Sequence, residues 1–494
     1  MITRIKINGF KSLVQTELYL GPFTCIAGAN AIGKSNFFDA LSFLSKLADK
    51  TIIEAAKSVR SENQKHSNIR DIFYRSGPDF INEISFEIDL LIPSTGIDDL
   101  GQTANATITC LRYKLGLKLN DESSNKEPIE IIEEELLPIT LGGARNNIFF
   151  DKSNDWLSSV LKGRRSTKNP FISYADGKIK LHQDGSKGRT TEFIADKMPR
   201  TLLSTVTAES PTAFLARQEM RNWMMMQFEP SALRQPNSFF EVKNAEIKAN
   251  GLNLPATLFR LQSSVNQDND IYQKLTNRLK ELVEDVTEIS IDKDEKRDLL
   301  TLQIKFRDGL TLPAQSLSDG TLRFLGLAII EEDSSGSRLI CLEEPENGIN
   351  PKKLTEMVVL LKDMATNPEI EVDENNPLRQ VIINTHSPIV VGEVPDESLY
   401  LAKGKEIYNE LFKKKIAYTG FSALNNTWKT NKCFVEITSI GEISAYLEKT
   451  VVLHVYDGMV AESNPDNKKK PVQILGKKTV AENVTQGILD FDRI

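Results

Sequence analysis

The sequence feature that most constrains the fold is a glycine-rich stretch of eight residues, Gly28–Ser35, which reads GANAIGKS. A short apolar run, Phe23–Ala27, precedes it, and apolar side chains spaced as on one face of a helix follow it from Phe37 to Leu44. These patterns predict a buried strand, a tight loop and an amphipathic helix, in that order. A strand, loop and helix with this spacing of glycine, lysine and serine are typical of P-loop proteins and therefore of an α/β fold.

The residue types in this loop suit a bound triphosphate. Gly28 and Gly33 let backbone N–H groups turn inward around phosphate oxygens, and the helix start adds its positive end. We expect Lys34 to reach the β- and γ-phosphates, Ser35 to ligate Mg²⁺, and Asn30 to belong to the same nucleotide site. A glycine loop that arose by chance is the alternative, and the flanking strand and helix patterns disfavour it.

Composition excludes several classes of protein. The chain has 494 residues, 40% of them hydrophobic, which is enough for a large core and about three domains. Its net charge of -7 gives no global basic field to attract nucleic acid or an anionic membrane. No apolar run approaches the ~18 residues that span a bilayer. We therefore expect no membrane segment and a cytoplasmic location.

Cysteine and histidine usage narrows the chemistry further. The four cysteines, Cys25, Cys110, Cys341 and Cys433, lie far apart and form no CxxC pair, which argues against a zinc knuckle and a disulfide framework. With only four histidines in the chain, sites that need a histidine cluster, such as those of HNH nucleases or HExxH proteases, are excluded.

A second motif lies at residues 338–346, where a short apolar run ends in the adjacent acids Glu343 and Glu344. This is a Walker B arrangement. Since successive side chains of a strand point to opposite faces, the two carboxylates have different roles. We assign Glu343 to the Mg²⁺ shell and Glu344 to polarising the attacking water. Two solvated acids at a strand end are the alternative.

Two weaker motifs complete a series. Leu317–Arg323 reads LSDGTLR before an apolar helix, and Asn384–Pro388 reads NTHSP after an apolar strand. In the order P-loop, LSDG, carboxylate strand and TH, the chain resembles the ABC-type ATPases of the RecF and SMC group, specifically the compact AAA-family ATPases that share LSDGTLRFL and EEPENG. The resemblance covers residues 1 to about 400 and includes Gly9–Ser12 and Phe228–Pro230. No long coiled-coil pattern separates the P-loop from LSDG, which excludes an SMC-type architecture.

The resemblance implies the cofactors ATP and Mg²⁺ and a shared site. In this family ATP lies between the P-loop of one subunit and the LSxG segment of another, so Ser318 and Gly320 would contact the γ-phosphate across a homodimer or higher homo-oligomer. His386 would be the histidine that senses this phosphate. The family's Q-loop glutamine has no clear counterpart, because the nearest candidate, Gln64, lies in a polar stretch that reads as an ordinary loop.

The end of the chain carries a further pattern of acids. Glu436 is expected to end an apolar strand, and Asp490 and Asp492 alternate in a last short strand. A strand ending in Glu and a later Asp-x-Asp strand are how a Toprim nuclease collects Mg²⁺, so this segment resembles the Toprim half of OLD-type antiphage proteins. Ile437 stands where that family prefers glycine, and the expected last strand and helix are missing after Asp492. An ordinary αβ tail with acids at its strand ends is the alternative.

Together these patterns predict an α/β chain built on an ABC-type P-loop ATPase head. Its expected parts are an ATPase domain over residues 1–400 with an inserted helical or mixed subdomain at about 120–285, a connector at 401–431 and a partial, Toprim-like αβ segment at 432–494. The expected function is an ATP-driven switch for antiphage defence, triggered by DNA or a phage protein, that controls a nuclease in its own tail or in a separate effector chain. A RecF-like repair ATPase without a nuclease is the alternative, and EEPENG disfavours a transporter ATPase.

Overall fold

The computed structural model describes residues 1–59, 68–120, 127–163, 169–184, 190–264, 270–334, 338–433, 435–439 and 441–443. Within these ranges the strands are β1 (Ile2–Asn8), β2 (Thr16–Tyr19), β3 (Phe23–Ala27), β4 (Arg75–Ser76), β5 (Asp79–Phe80), β6 (Glu83–Leu91), β7 (Thr95–Ile97), β8 (Thr103–Asn105), β9 (Cys110–Leu119), β10 (Ile129–Pro138), β11 (Ile172–Ala175), β12 (Lys178–Leu181), β13 (Thr191–Ile194), β14 (Trp223–Met226), β15 (Val286–Asp294), β16 (Leu299–Phe306), β17 (Thr311–Pro313), β18 (Leu339–Glu343), β19 (Gln380–Thr385), β20 (Leu399–Asn409), β21 (Lys414–Leu424) and β22 (Glu436–Thr438). The α-helices are α1 (Lys34–Leu47), α2 (Ile52–Lys57), α3 (Leu141–Asn147), α4 (Asn154–Val160), α5 (Pro211–Arg221), α6 (Pro230–Leu233), α7 (Leu254–Ser264), α8 (Ile271–Leu282), α9 (Asp319–Glu332), α10 (Leu354–Asp363), α11 (Pro388–Glu393) and α12 (Trp428–Lys432).

Two large sheets organise these elements. The first, the outer sheet, is antiparallel throughout, with strand order β13-β12-β11-β10-β9-β6-β1-β2. The second, the core sheet, has the order β14-β18-β19-β3-β20-β21-β22, and its first five strands are parallel. Only β20 and β21 pair antiparallel in the core sheet, as a long hairpin.

Helix α1 fills the space between the two sheets. Its buried side chains, such as Phe37 and Phe43, belong to one apolar cluster with strands of the outer sheet and with Ile26 and Cys341 of the core sheet. The opposite face of the core sheet forms a second cluster with helices α7 to α10, and Ile340 faces that side. Neighbouring residues of β3 and β18 thus serve opposite faces, which is why these strands are apolar along their whole length.

The structure confirms the strand and helix around the P-loop. β3 has the predicted bounds, and α1 follows the glycine-rich loop. The four cysteines are free and buried. None of the described helices has both the length and the apolar character that a membrane crossing requires.

The elements of the structure differ from the expected chain organisation in three places. Residues 401–431 are not a connector, because most of them form the β20–β21 hairpin, which pairs with β3 inside the core sheet. Within the expected insertion at about 120–285, β10 to β13 extend the outer sheet and β14 joins the core sheet. Glu436 begins β22 and does not end a strand.

Candidate functional site

The carboxyl ends of three parallel strands place the candidate residues together. In the sheet register Thr385, at the end of β19, lies opposite Ala27, at the end of β3, and Glu343, at the end of β18, lies opposite Asn384. The segments that leave β3, β18 and β19 are the P-loop, the acidic turn and the stretch with His386. Ligands of open parallel sheets bind at this edge, so the topology alone predicts a site here.

The P-loop leaves β3 and enters α1 without an intervening residue. Gly33 stands just before the helix with φ 102°, a conformation that glycine adopts without strain. The side chain of Lys34 is buried, and its ammonium donates hydrogen bonds to the carbonyl oxygens of Gly28 (2.6 Å) and Ala29 (2.8 Å). Burial lowers the pKa of Lys34, and the nearby carboxylates of Glu344, Glu346 and Glu343 oppose that shift.

A cavity of about 380 Å³ lies next to this loop. It combines the P-loop with the acidic turn and β19, and its lining residues are Asn30, Ala31, Gly33, Lys34, Ser35, Asn36, Glu344 and Asn384. The structure therefore brings together most of the residues predicted to hold a nucleotide, along with the acid assigned to the attacking water. His386 lies one hydrogen bond away, through Glu344.

Glu344 is held from several sides. One carboxylate oxygen lies 2.8 Å from Nδ1 of His386, and the other accepts a hydrogen bond from the side-chain amide of Asn347 at 3.0 Å. The backbone of Glu344 has φ 47°, which is unfavourable for a residue with a side chain, and its N–H donates to the carbonyl (3.0 Å) and side-chain oxygen (3.1 Å) of Asn384. Such strain costs about 1–3 kcal/mol and is found mainly where function requires a fixed side-chain direction.

Glu346 is a third acid of this site that the sequence analysis did not single out. It is buried, accepts a hydrogen bond from the Thr385 hydroxyl at 2.5 Å, and lies 4.0 Å from Nδ1 of His386. Burial raises the pKa of Glu346, and the hydrogen bond from Thr385 opposes that rise. The EEPE sequence could have indicated Glu346, because this third acid lies only two positions after Glu344, in the turn that follows β18.

The LSDG segment lies at the start of α9, outside the cavity. The hydroxyl of Ser318 accepts a hydrogen bond from the Thr321 N–H at 3.2 Å and so stabilises the helix N-terminus. Ser318 itself is exposed, whereas Gly320 is buried against the carbonyl of Gly348 in the EEPENG turn. The guanidinium of Arg234 donates a hydrogen bond to the Leu317 carbonyl at 2.8 Å and so helps to fix the segment. Neither Ser318 nor Gly320 lines the P-loop cavity of its own chain.

A larger groove of about 1000 Å³ adjoins the P-loop cavity at Ser35. Ser35 and Glu343 both line it, and a hydroxyl and one carboxylate are the usual protein ligands of a nucleotide-bound Mg²⁺, whose other ligands are phosphates and waters. The residues present therefore fit the cation. Nowhere in the described part of the chain do three His, Cys, Asp or Glu side chains gather into a metal site without a nucleotide.

Gln227 is a second residue that the sequence analysis missed. It follows β14, the strand next to β18, and it lines the groove together with Ser35 and Glu343. A signal was present in the sequence, because the four residues before Gln227 read WMMM, a short apolar run of the length of a strand. The earlier candidate, Gln64, lies outside the described residues.

Of the three Toprim-like acids, Glu436 lies in the described part of the chain. The carboxylate of Glu436 forms an ion pair with Lys405 of the neighbouring hairpin. Asp490 and Asp492 lie outside the described residues. Glu442 pairs with Lys403 at 2.8 Å, so both described acids of this segment contact lysines of β20.

The family described as “AAA domain, putative AbiEii toxin, Type IV TA system” matches residues 23–392. The chain belongs to this family. It is accordingly an ATPase domain of the ABC-type AAA group, and membership implies a nucleotide ligand. A comparison with curated proteins gives no match.

Solved structures of SMC head domains are also similar to this AAA-family chain. The Smc head bound to the C-winged helix domain of ScpA has a TM-score of 0.44 and 11% identity, and the match covers 86% of this chain and 98% of that chain. The Smc head with an extended coiled coil, bound to the C-terminal domain of ScpA and derived from Pyrococcus furiosus, has a TM-score of 0.41 and 11% identity, with 87% of this chain and 98% of that chain covered. The SMC head domain from Thermotoga maritima has a TM-score of 0.34 and 11% identity, with 86% of this chain and 99% of that chain covered.

Substituting Gly320→Ala tests the contact between the LSDG segment and the EEPENG turn. An added Cβ would lie 2.3 Å from the backbone oxygen of Gly348, so one of the two backbones must move. We expect a loss of about 1–3 kcal/mol in the free energy of unfolding, although alanine is intrinsically the better helix residue. Chemical denaturation measures it. Gly404→Ala is the control, because nothing lies within 4 Å of its Cβ position. Equal stability of the two variants would contradict the packing described here.

Proposed function

We propose that this chain binds Mg·ATP in the cavity between the P-loop and Glu344, hydrolyses it, and acts as a nucleotide-driven switch in a defence or toxin–antitoxin system. The observation that supports this most directly is the hydrogen bond of 2.8 Å between Glu344 and His386. Glu344 lines the same cavity as Lys34 and Ser35, so a water-activating acid and a phosphate-binding loop face one space.

Phosphoryl transfer depends on positioning and on neutralising charge, and the residues of this cavity supply both. Lys34 is buried and directed at the loop, where phosphate oxygens would replace the carbonyls of Gly28 and Ala29 as its partners. In our proposal Glu344 accepts the proton of the attacking water, and Asn347 fixes the direction of that carboxylate. His386 reports on the γ-phosphate through its bond to Glu344.

Mg²⁺, when bound, neutralises charge on the β- and γ-phosphate oxygens. We propose Ser35 and Glu343 as the residues that would hold it, since both line the groove beside the cavity. Gln227 lines the same groove, and we assign it the place of the family's Q-loop glutamine.

A second copy of the chain completes the proposed site. Ser318 is exposed at the N-terminus of a 14-residue helix, where free N–H groups and the helix dipole favour an anion. It does not line the cavity of its own chain, so it is available to a γ-phosphate bound by another subunit. ATP would then join two subunits, and hydrolysis would release them.

The role in defence is proposed from the family, whose description names a toxin of a type IV toxin–antitoxin system. We assign the effector nuclease to a separate chain, because the carboxylate of Glu436 is paired with Lys405. DNA or a phage protein would be the trigger.

Glu344→Gln tests the water-activating role. Loss of the base should lower ATP turnover by at least about 100-fold, while ATP binding is retained and an ATP-bound dimer accumulates. Phosphate release, equilibrium binding of a fluorescent ATP analogue and light scattering measure the three quantities. Glu369→Gln, at an exposed acid outside the site, should behave like the unaltered protein. Turnover in Glu344→Gln within tenfold of normal, about 1.4 kcal/mol, would refute the assignment.

Mixing two inactive proteins tests whether the site is shared. Lys34→Ala and Ser318→Ala should each lack turnover, but a mixed dimer contains one composite site with both residues intact. Random pairing should therefore restore about a quarter of the normal activity, since half the dimers are mixed and half of their sites are complete. No recovery on mixing, with dimer exchange verified by light scattering, would show that Ser318 acts within its own chain.

A cleavage assay tests the placement of the effector. The purified protein is incubated with Mg²⁺, ATP and single-stranded DNA, duplex DNA or tRNA, alongside an Asp490→Ala/Asp492→Ala variant. We expect ATP hydrolysis without cleavage in both proteins. Cleavage that is lost in the variant would contradict a separate effector and place the nuclease in this chain's own tail.

A further inference from the structure

The Gly9–Ser12 segment has no role in the proposed function, yet it forms a closely packed turn. The N–H of Leu13 bonds the carbonyl of Phe10 at 2.8 Å, and Gly9 adopts φ 80° where a Cβ would lie 2.2 Å from the carbonyl oxygen of Glu83. Lys11 forms an ion pair of 2.7 Å with Asp39 of α1. The turn is therefore fixed to the outer sheet and to the P-loop helix, and it directs Ser12 toward the P-loop.

Ser12 belongs to a chain of hydrogen bonds that begins and ends on the P-loop side. The side-chain amide of Asn36 lies 2.7 Å from the Ser12 hydroxyl. The Ser12 hydroxyl lies 2.6 Å from the Thr419 hydroxyl. The Thr419 hydroxyl in turn lies 2.8 Å from the carbonyl oxygen of Ile32. A carbonyl only accepts, so Thr419 donates to Ile32. Ser12 must then donate to Thr419 and accept from Asn36. All three bonds point the same way, which strengthens each of them.

Gly33 lies next to the hydroxyl groups of this hydrogen-bond chain. A Cβ on Gly33 would lie 2.3 Å from the Thr419 hydroxyl oxygen and 2.5 Å from that of Ser12. Glycine is thus required here by the close approach of two hydroxyls as well as by its φ of 102°. The two hydroxyls and the loop are built to fit one another.

Thr419 is well placed as an anchor. It lies in β21, is 1% exposed, and its N–H donates to the carbonyl of Ser12 at 2.9 Å. Around it β20 and β21 pair continuously from Leu401 to Asn409. A phosphate-binding loop must direct several N–H groups at one point. Ordering the loop costs conformational free energy when the ligand binds, unless the loop is already ordered in the folded protein.

We propose that Ser12 and Thr419 are positioning residues that hold the P-loop in its phosphate-binding conformation before the nucleotide arrives. This rests on the proposed ATP site. Neither residue lines the cavity, so they act through Ile32, Gly33 and Asn36. The Gly9–Ser12 motif and the β20–β21 hairpin then share one role, which is to preorganise the loop through residues that do not line the cavity.

Thr419→Val is the central test, because it preserves shape and removes the hydroxyl with two of the three bonds. We expect the Kd and KM for ATP to rise about tenfold while kcat changes less than about threefold. In the variant the loop would lose its order only while no nucleotide is bound, so binding ATP must restore that order. Thr419→Ser keeps the hydroxyl and should restore binding to within about twofold. Titration with a fluorescent ATP analogue and steady-state hydrolysis measure these values.

Thr24→Val is the matched control. Thr24 is fully buried in β3, and its hydroxyl has no hydrogen-bond partner among the described residues, so the same substitution removes no bond there. Its ATP affinity should stay within about twofold of normal. If Thr419→Val binds ATP as well as Thr24→Val does, the positioning role is refuted although the ATP site stands. If the unaltered protein binds no ATP, the proposed function fails and this inference fails with it.

Discussion

The parallel alignment of β3, β18 and β19 is the constraint on which the rest of the site depends. Each strand is apolar on both faces, and the two clusters on either side of the core sheet fix its register. A slip of one residue would exchange the faces of Cys341 and Leu342 and move the acidic turn away from the P-loop. Apolar packing far from the nucleotide therefore determines which carboxylates the nucleotide meets.

The resulting site contains more acid than base. Glu343, Glu344 and Glu346 all act electrostatically on Lys34, the one lysine among the described residues that line the cavity. A triphosphate brings further negative charge into this space, so Lys34 alone cannot balance it. Backbone N–H groups, the dipole of α1 and a divalent cation must contribute, which is the physical reason for a phosphate-binding loop at a helix N-terminus.

Local motifs were predictable from the sequence, and long-range partners were not. β3, α1 and the acids of β18 follow from periodicity and spacing within a few residues. The β20–β21 hairpin escaped prediction because one of its faces is exposed and rich in charged residues, so its pattern resembles that of a surface connector. Gln227 escaped because Met has little strand preference and because β14 acquires its meaning only by pairing with β18.

Glu346 illustrates the same limit inside a recognised motif. Its position in EEPE was visible, but its burial and its bond to the Thr385 hydroxyl depend on the neighbouring strand β19. The Ser12–Thr419 contact joins residues 407 positions apart. Local sequence patterns cannot predict a contact between residues so far apart in the chain. The two hydroxyls come together only in the folded protein.

The residues that match the family end before the β20–β21 hairpin, but the hairpin belongs to the folded core sheet. The family match ends at residue 392, yet β20 covers one side of β3 and β21 contacts the P-loop through Thr419. A protein shortened at residue 392 would expose the unpaired backbone of its central strand, and such edges recruit other chains. Fragment design that follows the sequence family would therefore yield an aggregating protein with an unsupported loop, so a fragment that retains nucleotide binding must include the β20–β21 hairpin.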